Sequence, residues 1–301
     1  MDTKARILQL KKEKNAVILA HYYVPDEVQE IADYIGDSFY LSKVATTISA
    51  ETIVFCGVSF MGESAKILNP NKVVLMPDET ADCAMAHMAE VDKIKLVRSQ
   101  YEDVAVVCYI NSTAELKVHS DICVTSANAV KIVKALPNKN IFFIPDSNLG
   151  RYVAEQVPEK EFIFNDGCCP VHAKLTREDV LKAKSEHPEA ALLVHPECEK
   201  EVVELSEYAG STAGIIAYAK QSEKKEFIIG TELGVMCELR KQNPDKKFYP
   251  LTETLICHDM KKITLDKIID SLEKNTFEVK LEEQFAKEAH APLVRMLELA
   301  K

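Results

Sequence analysis

The sequence lacks several of the signals that usually announce a function. No Cys-x-x-Cys pair occurs among its nine cysteines, so zinc ribbons and ferredoxin-type loops have no support. No Gly-x-Gly-x-x-Gly occurs, and the stretch from Gly57 to Gly62 is followed by Glu63 where a phosphate loop carries lysine, which argues against a nucleotide-binding α/β enzyme. Long hydrophobic runs are missing too. The stretch Ala16 to Ala20, behind an N-terminus crowded with Lys and Glu, is far too short for a secretion signal or a membrane span, and a cytoplasmic location is expected. In that reducing setting an odd number of cysteines is available for metal or catalysis rather than for disulfides. A basic surplus is also absent: the formal net charge of −10, without a basic helix-turn-helix pattern, disfavours nucleic acid as a partner. There is no Gly/Ser-rich linker or low-complexity segment, so any domains are expected to be tightly joined.

What is present suffices for several cores. The chain has 301 residues, more than one core usually organises, which favours two or three domains. Hydrophobic residues make up 47% and charged residues 28%, the balance of a globular protein. Three short apolar runs stand out: Ala16 to Ala20, Val104 to Cys108 and Ala190 to Val194. None alternates, so each is expected to be covered on both faces, as in a parallel sheet between helical layers. Each run ends in a polar cluster, namely His21-Tyr22-Tyr23, Tyr109-Ile110-Asn111 and His195-Pro196-Glu197. In open parallel sheets ligands bind at the carboxyl ends of strands.

These segments recur at a fixed interval. Seventeen residues separate His21 from Ser38, Tyr109 from Ser126, and His195 from Thr212. Cys83, Cys169 and Cys257 follow the first markers of their units by 62, 60 and 62 residues, a period of 86 to 88. A unit this long is a small α/β domain, not a solenoid repeat. The expected fold class is therefore α/β: three similar α/β/α sandwich domains with parallel sheets, covering residues 1–87, 88–172 and 173–258 and related by a pseudo-threefold axis. Residues 259–301 form a tail with two amphipathic helices, marked by Leu265/Ile268/Ile269/Leu272 and Phe285/Ala289/Leu293/Leu297, expected to pack on the first domain.

If matched positions converge on the axis, Cys83, Cys169 and Cys257 meet there, and three soft ligands suit iron–sulfur or zinc. Cys56, Cys108, Cys123, Cys198 and Cys237 have no repeat partner and read as core residues. Cys168 stands beside Cys169, and the spacing favours Cys169 as the ligand. A [4Fe-4S] cluster on three cysteines leaves one iron open to a substrate atom, whereas an electron carrier normally has four protein ligands. Around such a centre, His21 and His195 can donate hydrogen bonds or bind charge, and Tyr23 with Glu197 can form an acid/base pair. Ser38, Ser126 and Thr212, at apparent helix starts, read either as ordinary N-caps or as parts of an anion site.

The residues Leu19-Ala20-His21-Tyr22-Tyr23, Ile31 to Ser38, Tyr109 to Thr113, Thr125 to Ala129, Cys169-Pro170-Val171-His172, His195 to Cys198, Gly210-Ser211-Thr212, and Cys257 with Met260-Lys261 together resemble the quinolinate synthase family, over essentially the whole chain. The resemblance implies one [4Fe-4S] cluster on Cys83, Cys169 and Cys257 at the junction of three domains. It implies condensation of iminoaspartate with dihydroxyacetone phosphate to give quinolinate, phosphate and two waters, with no net redox change. Tyr23 and Glu197 would then be the catalytic acid/base pair, and Tyr109 would orient the ligand of the open iron. His21, Ser38, Asn111, Ser126, His172, His195 and Thr212 would bind the substrate's carboxylates and phosphate. An L-aspartate oxidase or aspartate dehydrogenase is the implied transient partner. The main rival keeps the metal and makes the chain an iron–sulfur redox or oxygen sensor; a zinc-stabilised scaffold leaves the paired histidines and helix-start hydroxyls unexplained.

Overall fold

In a computed structural model describing residues 2–301, every strand pairs in parallel within one of three four-stranded sheets. The first sheet holds β1 (Ala16–His21), β2 (Tyr34–Gly36), β3 (Thr52–Cys56) and β4 (Val73–Leu75). The second holds β5 (Val104–Tyr109), β6 (Ile122–Val124), β7 (Asn140–Ile144) and β8 (Glu161–Phe164). The third holds β9 (Ala191–Val194), β10 (Tyr208–Ala209), β11 (Glu226–Gly230) and β12 (Lys247–Pro250). Their spatial orders, β2-β1-β3-β4, β6-β5-β7-β8 and β10-β9-β11-β12, are one topology used three times.

The absence of alternation in the apolar runs has its cause here. Strands β3, β5 and β9 are buried along their whole length, so both side-chain rows face helices and both must be apolar. Each fully buried Val, Leu or Ile contributes roughly 1.5–3 kcal/mol relative to an exposed one, which is what the runs supply. In each sheet the chain leaves the inner strand to one side and returns on the other, so the order reverses beside the carboxyl ends of β1, β5 and β9. Such a reversal opens a crevice, and the polar clusters of the sequence sit at its lip.

The triplication extends to single hydrogen bonds. Asp33 accepts from Ile18 N at 2.8 Å, Asp121 from Val106 N at 2.7 Å, and Glu207 from Leu192 N at 2.6 Å. Each of these acids also donates its own backbone N–H to the carbonyl of the same residue. One carboxylate in each unit thus fixes where its second strand starts against the first.

Cohesion between units comes from the C-terminal segment and from close backbone approach. The helix Leu265–Lys274 packs on the N-terminal helix Thr3–Glu13, burying Ile268 and Leu272. The helix Glu283–Leu299 lies against the helices Ser59–Leu68 and Ala114–Val118 and against β6, burying Ala289, Leu293 and Met296. The segment therefore packs on the second unit as well as the first, and these two share one continuous apolar core. The third unit keeps separate cores on the two faces of its sheet. It is tied to the first at Gly234, where a Cβ would meet Tyr22 O at 2.6 Å and Tyr23 Cα at 2.8 Å, so no other residue fits without moving backbone.

Candidate active site

The carboxyl ends of the three sheets face one cavity. Cys83, His21, Tyr23 and Ser38 reach it from the first unit, and Tyr109, Asn111, Ser126, Cys169 and His172 from the second. His195, Glu197, Thr212 and Cys257 complete the lining from the third, so all thirteen residues singled out in the sequence share one space. Cys168 does not line it and remains partly exposed. The other cysteines without a repeat partner are buried away from the cavity, apart from the half-buried Cys237.

Hydrogen bonds across the unit junctions hold this arrangement. Tyr109 Oη donates to Glu197 Oε1 at 2.7 Å, and His195 Nε2 lies 3.2 Å from Ser126 Oγ, joining the second and third units. Tyr23 Oη lies 2.7 Å from Thr212 Oγ1 and 2.8 Å from Thr231 Oγ1, joining the first and third. Of the two tyrosines, Tyr109 bonds Glu197 directly and Tyr23 does not. Tyr23 reaches the carboxylate through intermediates. Thr231 Oγ1 is 2.9 Å from His172 Nε2, and His172 Nδ1 is 2.7 Å from Glu197 Oε2.

Two histidines at matched positions make the same local turn. His21 Nδ1 accepts from Tyr23 N at 3.2 Å, and His195 Nδ1 accepts from Glu197 N at 3.3 Å. An accepting Nδ1 puts the proton of the neutral ring on Nε2, so both rings offer a donor at that nitrogen. Burial keeps them neutral: it lowers His21 to about 3 and His195 to about 4, with the neighbouring histidine charge acting in the same direction. Glu197 is the opposite case. Burial opposes its ionisation, yet His195, His172 and the Tyr109 hydroxyl hold its carboxyl well below the usual range. Burial pushes both Tyr23 and Tyr109 well above the ordinary phenol value, and the Glu197 charge adds to it.

The helix-start hydroxyls are not caps. Asp37 and Ser211 cap the helices Ser38–Ala45 and Thr212–Gln221, leaving Ser38 and Thr212 in their first turns. Ser126 lies before the helix Ala129–Ala135, whose N-cap position is Asn128. Two polar atoms in the lining have no partner among the described residues: Asn111 Oδ1 and Thr125 Oγ1 are buried and unbonded. A buried orphan acceptor in a cavity is a seat for a ligand's donor.

The donor set fits an iron–sulfur cluster. Three sulfurs, one from each unit, line one cavity, and no disulfide consumes them. Burial raises the Cys83 thiol to about 12 and pushes Cys169 well above its ordinary value, and it raises Cys257 as well. Thiols so placed become thiolates only when a metal displaces the proton. Glu197, Asp37 and Glu232 line the same cavity, while among the described residues no lysine or arginine does.

A family model described as quinolinate synthetase A protein matches residues 5–298. The chain belongs to that family. It is 52% identical over 297 residues to a quinolinate synthase of Caldicellulosiruptor saccharolyticus, covering 99% of this chain and 98% of the relative. It is 53% identical to that of Caldicellulosiruptor bescii, covering 98% of each chain, and 50% identical to that of Clostridioides difficile, covering 100% of this chain and 99% of the relative. Among the described residues no helix is long and apolar enough to cross a membrane.

Sequence reasoning missed Thr231, whose buried hydroxyl links Tyr23 to His172, and the carboxylates Asp146 and Glu232, both fully buried. A signal for the acids existed. Asp146 and Glu232 lie 86 residues apart, each two residues beyond the end of a matched strand, β7 and β11. Thr231 carries no such mark, since a hydroxyl's role depends on neighbours from other units.

Proposed function

We propose that this chain is a quinolinate synthase, condensing iminoaspartate with dihydroxyacetone phosphate to give quinolinate, phosphate and two waters. One observation carries the reading: Cys83, Cys169 and Cys257 come from three units to one cavity that also holds Tyr23, Tyr109 and Glu197. The three cysteines would hold a [4Fe-4S] cluster, which when bound supplies an iron with an open position as a Lewis acid.

The remaining work falls to the chain's own residues. Tyr23 and Glu197 stand at the two ends of a hydrogen-bonded chain through Thr231 and His172. A proton taken up at Glu197 Oε2 can be returned at Tyr23 Oη without passing through solvent, which suits the isomerisation and dehydration steps. Tyr109 holds Glu197 Oε1 and so fixes which carboxylate oxygen faces that chain. Neutral His21 and His195, with Ser38, Ser126 and Thr212, offer donors to carboxylate and phosphate oxygens. Asn111 Oδ1 offers an unpaired acceptor to an imine or hydroxyl proton. Closing such groups in a buried space also keeps water from hydrolysing an imine, so an aspartate-oxidising enzyme is the fitting source of that substrate.

A second arrangement has its own support. Ligand atoms of Cys169, His172 and Glu197 lie within 4.8 Å of one another, a set that suits a single divalent metal. It leaves Cys83 and Cys257 without a role and breaks the link from His172 to Glu197. Anaerobically purified protein assayed for iron, sulfide and zinc separates the two. About four irons and four sulfides per chain, with quinolinate formed from freshly generated iminoaspartate and dihydroxyacetone phosphate, is the expected result. Zinc alone, or a fully loaded cluster without product, overturns the proposal.

A further inference from the structure

Each of the three cavity cysteines has its backbone N–H tied to a carboxylate. Cys83 N donates to Asp82 Oδ1 at 2.8 Å, Cys169 N to Asp146 Oδ2 at 3.2 Å, and Cys257 N to Glu232 Oε1 at 3.2 Å. Two of the three acids share a matched place and the third does not. Asp146 and Glu232 follow the ends of β7 and β11, whereas the matched place after β3 holds Val58, and the first unit uses the residue next to its cysteine instead. The neighbouring Ser59 Oγ donates to the same Asp82 oxygen. Two units thus make the contact from one matched position, and the first, which lacks an acid there, makes it from another.

In every case the second carboxylate oxygen is already engaged. Asp82 Oδ2 lies 2.7 Å from His87 Nε2, Asp146 Oδ1 accepts from Leu149 N at 2.7 Å, and Glu232 Oε2 accepts from Gly234 N at 2.7 Å. Each acid therefore clamps the cysteine's peptide to a second anchor: a 3₁₀ turn in the first unit, a helix N-terminus in the second, and the Gly234 junction in the third. Glu232 Oε1 is further held by Lys261 Nζ at 2.9 Å, whose ammonium also donates to Tyr23 O at 2.6 Å. The third clamp thus sets the acid/base tyrosine and a cysteine from one ion pair.

We propose that Asp82, Asp146 and Glu232 are positioning residues for the metal centre, each fixing the peptide of one cysteine so that three thiols from three units present themselves together. The inference rests on the cluster reading above. Three ligands from remote segments bind a rigid inorganic core only if their Cα–Cβ directions are set beforehand, because ordering them on binding would cost affinity. An N–H···carboxylate bond behind each ligand supplies that order.

The divided use of the two oxygens gives the test. In Asp146→Asn and Glu232→Gln one oxygen remains for one anchor and the NH₂ group meets an N–H donor at the other; at Asp82 an amide can still pair with a neutral His87 ring, so Asp82→Ala is the variant there. Wild type and these variants are loaded anaerobically, iron and sulfide per chain are counted, and loss of the visible cluster absorbance is followed under excess iron chelator. Asp33→Asn is the control: its carboxylate is divided in the same way, between Ile18 N and Lys11 Nζ, but touches no cysteine. The expected result is cluster loss at least about 10-fold faster in the three variants, the scale found for groups that support metal ligands, with the control releasing at the wild-type rate. Wild-type release in all three, or equal acceleration in Asp33→Asn, overturns the proposal while leaving the cluster reading intact. A wild type that holds no cluster overturns both. Should Asp146→Asn not fold, Asp82→Ala decides, since that side chain is 43% exposed and its loss leaves the core untouched.

Discussion

The Tyr109–Glu197 contact allows a quantitative test. Glu197 Oε1 accepts from Tyr109 Oη at 2.7 Å, and among the described residues no other donor bonds that oxygen, while Oε2 faces His172 Nδ1 at 2.7 Å. Both side chains are almost wholly buried, Tyr109 at 5% and Glu197 at 3% exposure. A hydrogen bond to an ionised group contributes about 1.5–3 kcal/mol, and burial of both ends puts this one near the upper figure. Tyr109→Phe keeps the ring and removes only the hydroxyl, so it should destabilise the fold by roughly 2–3 kcal/mol. In a Glu197→Gln background the same change removes a neutral hydrogen bond of about 0.5–1.5 kcal/mol. The coupling between the two changes is then about 1–2 kcal/mol, close to a tenfold difference in the folding equilibrium. Urea unfolding of the anaerobic proteins, followed by far-UV circular dichroism, reads all four corners of the cycle. Equal losses in the two backgrounds, to within about 0.5 kcal/mol, would show that Glu197 does not depend on Tyr109 as a charged partner.

Two further outcomes follow from the site. Cys169→Ala should abolish retention of the cluster while Cys168→Ala retains it, because only Cys169 lines the cavity; iron analysis decides, and the reverse pattern refutes the assignment. The second concerns acid. His21 and His195, held near 3 and 4 in the fold, titrate near 6.5 when unfolded, so the unfolded chain binds more protons as pH falls below 6.5. Stability should therefore be full above pH 6.5 and fall as pH drops toward 4, by about 3 kcal/mol for His195 alone. The depressed carboxyl of Glu197 steepens the loss below the ordinary glutamate range, since its contribution is present above that range and disappears as acid protonates it. Thermal midpoints between pH 7 and 5 should fall in the wild type and fall less in His195→Gln; parallel slopes would contradict the neutral-ring assignment.

The fold was legible because its signals are local and repeated. An apolar run without alternation means a strand buried on both faces, and β1, β5 and β9 are such strands. Recurrence at 86 to 88 residues placed Cys83, Cys169 and Cys257 in register before any contact between them was known, and the cavity gathers all three. Strand ends and helix positions are set by hydrogen bonds within one unit, which is why periodicity reaches them. The periodicity also held the interval between Asp146 and Glu232, unread because neither acid adjoins its cysteine in the chain.

Only the assembled units decided who bonds whom. Side-chain chemistry and the family resemblance single out Tyr23 and Glu197 as an acid/base pair, and the tertiary structure adds that Glu197 bonds Tyr109 while Thr231 and His172 stand between the other two. The same holds for Ser38 and Thr212, which look like caps in the sequence but yield that task to Asp37 and Ser211. A hydrogen bond needs its partners within about 3 Å, and the distance between side chains of different units depends on how three sheets dock and on how the helix Glu283–Leu299 wedges two of them together. By itself the sequence determined a triplicated α/β chain with three matched cysteines. The directions of its protons belong to the docking, because those hydrogen bonds join residues that no single repeat contains; the clamps behind its thiols each lie within one unit and were decided by how that unit folds back on itself.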